Sequence, residues 1–178
     1  MKYLEGEILN STRLYLLHGR KEPLEDEDPK RITIFLRHYL TLVVNTTHRK
    51  ALTRLLLSQH PLAVERMRYK SRYHLVHIPC ERRLCRFACN HVESVEHALF
   101  HCTAKLHIVE KRGQFVANLA LKELRLRTIT PGNGTLLLRA LIFRRDTVCQ
   151  IAKFAHQVFE IFDRTPMVWP DTADSLVP

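Results

Sequence analysis

Twenty-three residues near the middle of the chain constrain it most: C-E-R-R-L-C-R-F-A-C-N-H-V-E-S-V-E-H-A-L-F-H-C, from Cys80 to Cys102. Four of the five cysteines lie there (Cys80, Cys85, Cys89 and Cys102), together with three of the eleven histidines (His91, His97 and His101). Thiolates and imidazoles concentrated in this way suit one first-row divalent metal, tetrahedral zinc above all. The preferred ligand set is Cys85, Cys89, His97 and Cys102. Cys85 and Cys89 form C-x3-C, within the two to four intervening residues that let a turn aim two sulfurs at one ion. His97 follows Cys89 by eight residues, which leaves room for a turn and the first helical residues, and Cys102 follows His97 by five. On an unbroken α-helix five steps amount to about 500°, so His97 and Cys102 would point about 140° apart. Both can bind one ion only if the helix ends near His101. Cys80 can replace one thiolate or stand spare, and His91 or His101 can compete with His97, although His91 sits too near Cys89 to reach back easily. Four protein ligands leave no open position for water, so the expectation is one structural zinc.

The surrounding chain reads as helical. Its 178 residues suffice for one domain with a core, and they contain only five glycines among many Leu and Ala, which argues against a turn-rich β fold. No apolar run reaches the ~18 residues of a membrane span, and M-K-Y-L-E-G-E lacks the apolar core of a secretory signal. An intracellular protein with reduced thiols and no membrane contact is expected, nucleus and cytoplasm being indistinguishable. In such a setting close-set cysteines more often mean metal than disulfide.

Three parts are expected. Residues 1–30 form a lead-in helix and an acidic linker, E-P-L-E-D-E-D-P, over 22–29. Residues 31–163 form the helical domain, with the knuckle at 80–102 inserted near its middle. Residues 164–178, with Pro166, Pro170 and Pro178, form an extended or disordered tail. Within the domain, Ile32, Phe35, Leu36, Tyr39, Leu40 and Val43 follow helical spacing. Asn45-Thr46-Thr47 ends that helix and caps the next, on which Ala51, Leu52, Leu55 and Leu56 share a face. Pro61 opens a third helix. Val92–Phe100 reads as helix, with Val95 and Leu99 inward. Thr103 caps another helix, which Gly113 bends or interrupts and which continues to Leu124. Pro131-Gly132-Asn133-Gly134 is a strong turn signal, and Thr135 caps a long final helix. There Leu137, Leu141, Val148, Ala152, Ala155, Phe159 and Phe162 make one continuous stripe. Cys149, one position off that stripe, is expected to be a small buried hydrophobe. The fold class is mainly α: an irregular helical bundle with a small zinc knuckle.

The formal charge of +10 is unevenly spread: residues 65–87 carry seven basic and two acidic side chains, half the excess on 23 residues. Such a field attracts polyanions, nucleic acid first. Arg66, Arg68, Lys70, Arg72, Arg82, Arg83 and Arg86 alternate with Tyr69, Tyr73 and Phe87, the cation-and-ring mixture with which single-strand binders hold phosphates and stack bases. A solvated helix face whose rings pack on the core accounts for the same run equally well.

The segment R-L-C-R-F-A-C-N-H-V-E-S-V-E-H-A-L-F-H-C resembles the zinc-binding domain near the C-terminus of non-LTR (LINE-type) retrotransposon reverse transcriptases. The family pattern looks like C-x2-C, a short polar loop, then E-T/S-x-E-H-x-L/F-x-x-C. Cys85, Cys89, His97 and Cys102 fall on its four metal positions, and Glu93, Ser94, Glu96 and Leu99 follow its helical part. The upstream A-L-T-R-L-L-L-S-Q-H-P-L-A also looks like the region preceding that domain. The resemblance covers about residues 75–105 and is weak elsewhere. It implies a retroelement-derived protein without implying polymerase activity, and docking on a reverse transcriptase domain is one partner it suggests. The chain departs from the family in having C-x3-C, with one extra residue around Ala88. Either a wider turn accommodates it or the knuckle no longer holds zinc well.

No enzyme is expected. Reverse transcription needs paired aspartates for two metal ions, and the sequence has no D-D pair. A glycine-rich phosphate loop and a G-x-S-x-G elbow are also missing. His91-Val92-Glu93 matches the H-x-E of zinc deaminases, but Pro79-Cys80 lies upstream of it instead of downstream. Two functions compete. One is a non-catalytic zinc module that binds RNA or single-stranded DNA through residues 66–87. The other is a helical scaffold or protein-interaction remnant of a retroelement polyprotein.

Overall fold

The computed structural model describes residues 2–18, 37–69, 77–120 and 134–170. The chain is mainly α-helical: α1 (Lys2–Asn10), α2 (His38–Leu42), α3 (Thr46–Leu56), α4 (Ala63–Arg66), α5 (Leu106–Ala120), α6 (Gly134–Phe143) and α7 (Val148–Arg164). Short 3-10 turns at Tyr15–Leu17 and Cys80–Arg82, and a π-helix at His97–His101, complete the elements. No β-strand occurs among the described residues, and Leu84 and Val92 form an isolated antiparallel bridge.

Helix α7 is the axle of the fold. Its Val148, Ile151, Ala152, Phe154, Ala155, Val158, Phe159 and Phe162 are all buried, a stripe at helical spacing broad enough to meet several neighbours. Helices α2, α3, α5 and α6 and the π-helix all pack on it. From α3 come Ala51, Leu52, Leu55 and Leu56, the four expected residues. From α5 come Ile108, Phe115 and Leu119, with Phe115 stacked on Phe154 at 4.4 Å between centroids. Each such side chain, fully buried, is worth about 1.5–3 kcal/mol of hydrophobic free energy.

Local signals set the helix starts. The Asn45 side chain accepts from the backbone N–H of Thr47 (3.0 Å) and His48 (3.1 Å), filling two of the donors that a helix start leaves open. At α6 the first residue is Gly134, where an added Cβ would come within 3.1 Å of Glu96 Cγ. That close approach lets Thr135 donate to Glu96 Oε1 at 2.6 Å. Tyr15 donates to the same oxygen at 3.1 Å, and burial followed by the Glu96 charge pushes the phenol upward. Leu16 and Leu17 join the main core, so this part of the lead-in packs into the helical domain.

Several expectations change. The long final helix is two helices, broken at residues 144–147. There the buried Thr147 hydroxyl bonds back to Leu141 O at 2.7 Å instead of capping α7. The seven-residue step from Leu141 to Val148 keeps the apolar stripe in register across the break and so hides it from periodicity. Cys149 is exposed, donating to Leu42 O at 3.3 Å, because one helical step turns it off the buried face. Gly113 does not interrupt α5, and that helix starts at Leu106, past the expected Thr103 cap. The third helix is a single turn, α4. Residues 166–170 carry no regular secondary structure, and Met167 and Trp169 pack on Ala63, Met67 and Ile78. The acidic linker at 22–29, Ile32, Phe35, Leu36, Leu124, Pro131-Gly132-Asn133 and residues 171–178 lie outside the described residues. Among the described residues no helix is long and apolar enough to cross a membrane.

Candidate metal centre

The segment between Leu84 and Cys102 is a closed loop followed by a short, wide helix. The bridge is closed by Cys85 N–H to His91 O (2.8 Å) and Glu93 N–H to Arg83 O (2.8 Å). Inside it, Ala88 N–H reaches back to Cys85 O at 3.0 Å. Ala88 and Asn90 take left-handed φ values of 59° and 52°. The residue that makes this a C-x3-C is therefore absorbed as one left-handed step, at a cost of about 1–2 kcal/mol for a residue with a Cβ. The extra residue is accommodated in a wider turn.

Beyond the bridge the chain does not form the nine-residue helix expected for Val92–Phe100. Val92 belongs to the bridge, helix begins at Val95, and His97–His101 is π-helical. Cys102 N–H donates to His97 O at 2.7 Å, a bond spanning five residues. That resolves the angular mismatch of an α-helix, since a π-turn brings residues five apart together, and such turns recur at functional sites. The helix ends there, with Cys102 extended at ψ 120°. Arg112 of α5 fixes the end, donating to Leu99 O at 3.1 Å and to Cys102 O.

Cys85, Cys89, His97 and Cys102 thereby converge, their ligand atoms all within 4.8 Å of one another. The Cys85 and Cys102 sulfurs are 4.0 Å apart and the Cys89 sulfur is 3.1 Å from His97 Nε2. A tetrahedral ion with metal–sulfur bonds of about 2.3 Å sets its sulfurs about 3.8 Å apart, so the cluster can hold one metal ion with minor adjustment. A disulfide needs about 2.05 Å between sulfurs, and all four cysteines of the segment are free thiols. Cys85, His97 and Cys102 are buried, Cys89 half-buried. Between themselves the two deepest sulfurs are unequal. The Cys85 thiol is pushed up, first by its hydrogen bond to Cys102 and then by burial. Cys102 is held down as the acceptor of that bond, against the cost of burial and with help from His97.

The other candidate ligands lie outside the tetrad. Cys80 is exposed on its 3-10 turn and outside the tetrad. His101 faces away, its Nε2 beside Gly134. His91 is exposed and lies flat on the His97 ring, centroids 5.3 Å apart and planes 8° from parallel.

A buried ion pair braces the loop. Glu93 is fully buried and accepts from Ala63 N–H at 2.7 Å, Arg86 N–H at 2.8 Å, and Arg86 Nε and Nη2 at 3.0 and 2.6 Å. The rest of the Arg86 fork reaches Pro61 O, Phe162 O and Thr165 O at 2.7–2.8 Å. Arg83, 5% exposed, donates to Ile78 O and Val64 O. The assignment of Arg83 and Arg86 to phosphate contact is therefore corrected. Both guanidiniums are internal ties joining the knuckle to α4 and to the end of α7. Phe87 is corrected in part: it packs edge-on to Phe162 at 4.9 Å, and Lys105 covers its ring at 6.0 Å. Arg66 and Tyr69 are exposed, and Arg82 and Arg68 are half-exposed, Arg68 paired with Glu65 at 2.7 Å. Lys70, Arg72 and Tyr73 lie outside the described residues. Neither the Glu93 tie nor the Arg112 tie was foreseen. Nothing in the sequence marks Glu93 as a buried partner for Arg86 or singles out Arg112.

Fold and site together define a mainly α-helical protein with a buried Cys3His cluster able to hold one metal ion. Searches for similarity among protein-family models, curated proteins and solved structures gave no match.

Proposed function

We propose that this chain is a non-catalytic zinc-binding module derived from a retroelement reverse transcriptase, and that it binds RNA or single-stranded DNA. The observation that carries the reading is the convergence of Cys85, Cys89, His97 and Cys102 within 4.8 Å, on the four positions that the family resemblance marks as metal ligands. Three thiolates and one imidazole favour zinc over harder ions. Four protein donors leave no place for a reacting water, which supports a structural role. For nucleic acid the support is electrostatic: the +10 chain concentrates its charge in 65–87. With Arg83 and Arg86 committed internally, the phosphate contacts fall to Arg66, Arg68, Lys70, Arg72 and Arg82, with Lys105 added at the knuckle rim.

The test is metal content by native mass spectrometry, with anisotropy titration of a labelled single-stranded RNA over a range of salt. One zinc per chain is expected, with affinity falling as salt rises by a slope of about 0.7 per phosphate contact. The combined variant Arg66→Glu, Lys70→Glu, Arg72→Glu should keep its zinc and lose most of its affinity. A folded chain that holds no zinc, that does not bind RNA at low salt, or whose triple variant binds as the wild type overturns the corresponding part.

A further inference from the structure

We propose that the open face of the His91 ring is a stacking site for one unpaired base of a single-stranded nucleic acid; this rests on the nucleic-acid reading above. A stacking platform needs a flat ring that is exposed and already fixed before the ligand arrives, so that little freedom is lost on binding. His91 meets each condition. One face of its ring lies on His97, nearly parallel at 8° with centroids 5.3 Å apart, while the residue remains exposed. Nδ1 donates to Cys89 O at 2.6 Å, which fixes the ring's rotation. The left-handed Asn90, φ 52°, turns the chain so that this exposed ring folds back over the metal ligands.

The two described rings among those the sequence offers for stacking, Phe87 and Tyr69, are less well placed. Phe87 is held edge-on by Phe162 and covered by the Lys105 ammonium. Tyr69 carries the Arg13 guanidinium over its ring at 5.7 Å. Lys105, exposed three residues beyond the last ligand, supplies a cation on the knuckle's rim for a neighbouring phosphate. The knuckle then has a structural reason for a histidine that is not a ligand: the ring of His97 is its support.

The experiment titrates fluorescein-labelled oligouridine of about ten nucleotides, within the site size of single-strand binders, into wild type, His91→Ala and His91→Phe, with zinc measured in each. Stacking of one base is worth 1–3 kcal/mol, so His91→Ala should weaken binding about 5- to 150-fold. Its salt dependence should be unchanged, since no phosphate contact is lost, and His91→Phe should bind within a few-fold of wild type. Equal affinity of His91→Ala and wild type overturns the stacking site and leaves the nucleic-acid reading standing. A wild type that does not bind at low salt overturns both. Should His91→Ala also lose zinc, His91→Phe decides: restored affinity supports stacking, and failure to restore it overturns it.

Discussion

The α3–α7 pair and the knuckle at 80–102 both contribute to the buried interior, and they are built in opposite ways. Between α3 and α7 the contact is a stripe of Leu, Ala, Val and Phe that repeats every turn. Many interchangeable contacts share the stabilisation, and a volume-conserving swap costs little. The knuckle buries few large side chains. Its shape hangs on singular features: a Cys3His tetrad able to hold a metal ion, one carboxylate and two guanidiniums inside, a left-handed alanine and a π-turn. A region of the first kind yields gradually to mutation, and one of the second kind fails at single atoms.

With zinc in the tetrad as proposed, its removal should break the comparison most sharply. Cys102→Ser, or a strong chelator, should abolish binding of one zinc and strip hydrogen-exchange protection from 84–102, while α3 and α7 keep most of theirs. Structural zinc is worth on the order of 10 kcal/mol in isolated fingers. Equal loss in both regions would show the knuckle to be integral to the core. Glu93→Gln should come next. It leaves Arg86 buried without its counter-charge, and breaking such a pair costs about 3–5 kcal/mol, read as a fall in the urea midpoint with zinc still bound. Reversal of both partners to apolar residues (Glu93→Met, Arg86→Met) should recover part of that loss.

An effect centred on the helical side follows from His60, buried against Phe159 at 5.8 Å with Arg54 and Arg68 nearby. Burial, then those two charges, pushes the ring down to about 3 from its ordinary 6.5. Between those values the unfolded chain binds the proton and the folded chain does not. The stability is therefore complete above pH ~6.5 and declines as pH falls toward 3, at up to about 1.4 kcal/mol per unit. His60→Leu should flatten the pH dependence of stability between 6.5 and 5 by one proton, and an unchanged slope would remove His60 as its cause. The smallest effect belongs to the knuckle's turn. Ala88→Gly relieves the left-handed strain but loosens the unfolded chain, so stability should change by less than about 1 kcal/mol. Ala88→Val should cost about 1–2 kcal/mol more than glycine, and zinc stoichiometry should stay at one in the glycine variant.

The helices were legible where one face repeats. Ala51, Leu52, Leu55 and Leu56, the Asn45 cap and most of the α7 stripe follow from spacing and side-chain chemistry alone. The break at residues 144–147 was not, because a seven-residue step fits a continuous helix and an interrupted one alike. The four candidate ligands were legible because cysteine and histidine are scarce and were concentrated at workable spacings. How five residues could bring His97 and Cys102 together was foreseen only as a need for the helix to end, and the π-turn supplied the means. Arg83 and Arg86 misled for a plain reason: a basic residue in a basic run carries no mark of whether a buried Glu93 waits for it.

The sequence alone determined a helical chain around a Cys3His cluster, because periodic burial and scarce ligand types are written residue by residue. Only the tertiary structure decided which cations face inward, that Ala88 turns left-handed and that His91 lies on His97. Each of those depends on partners brought together by folding, and no local pattern encodes them.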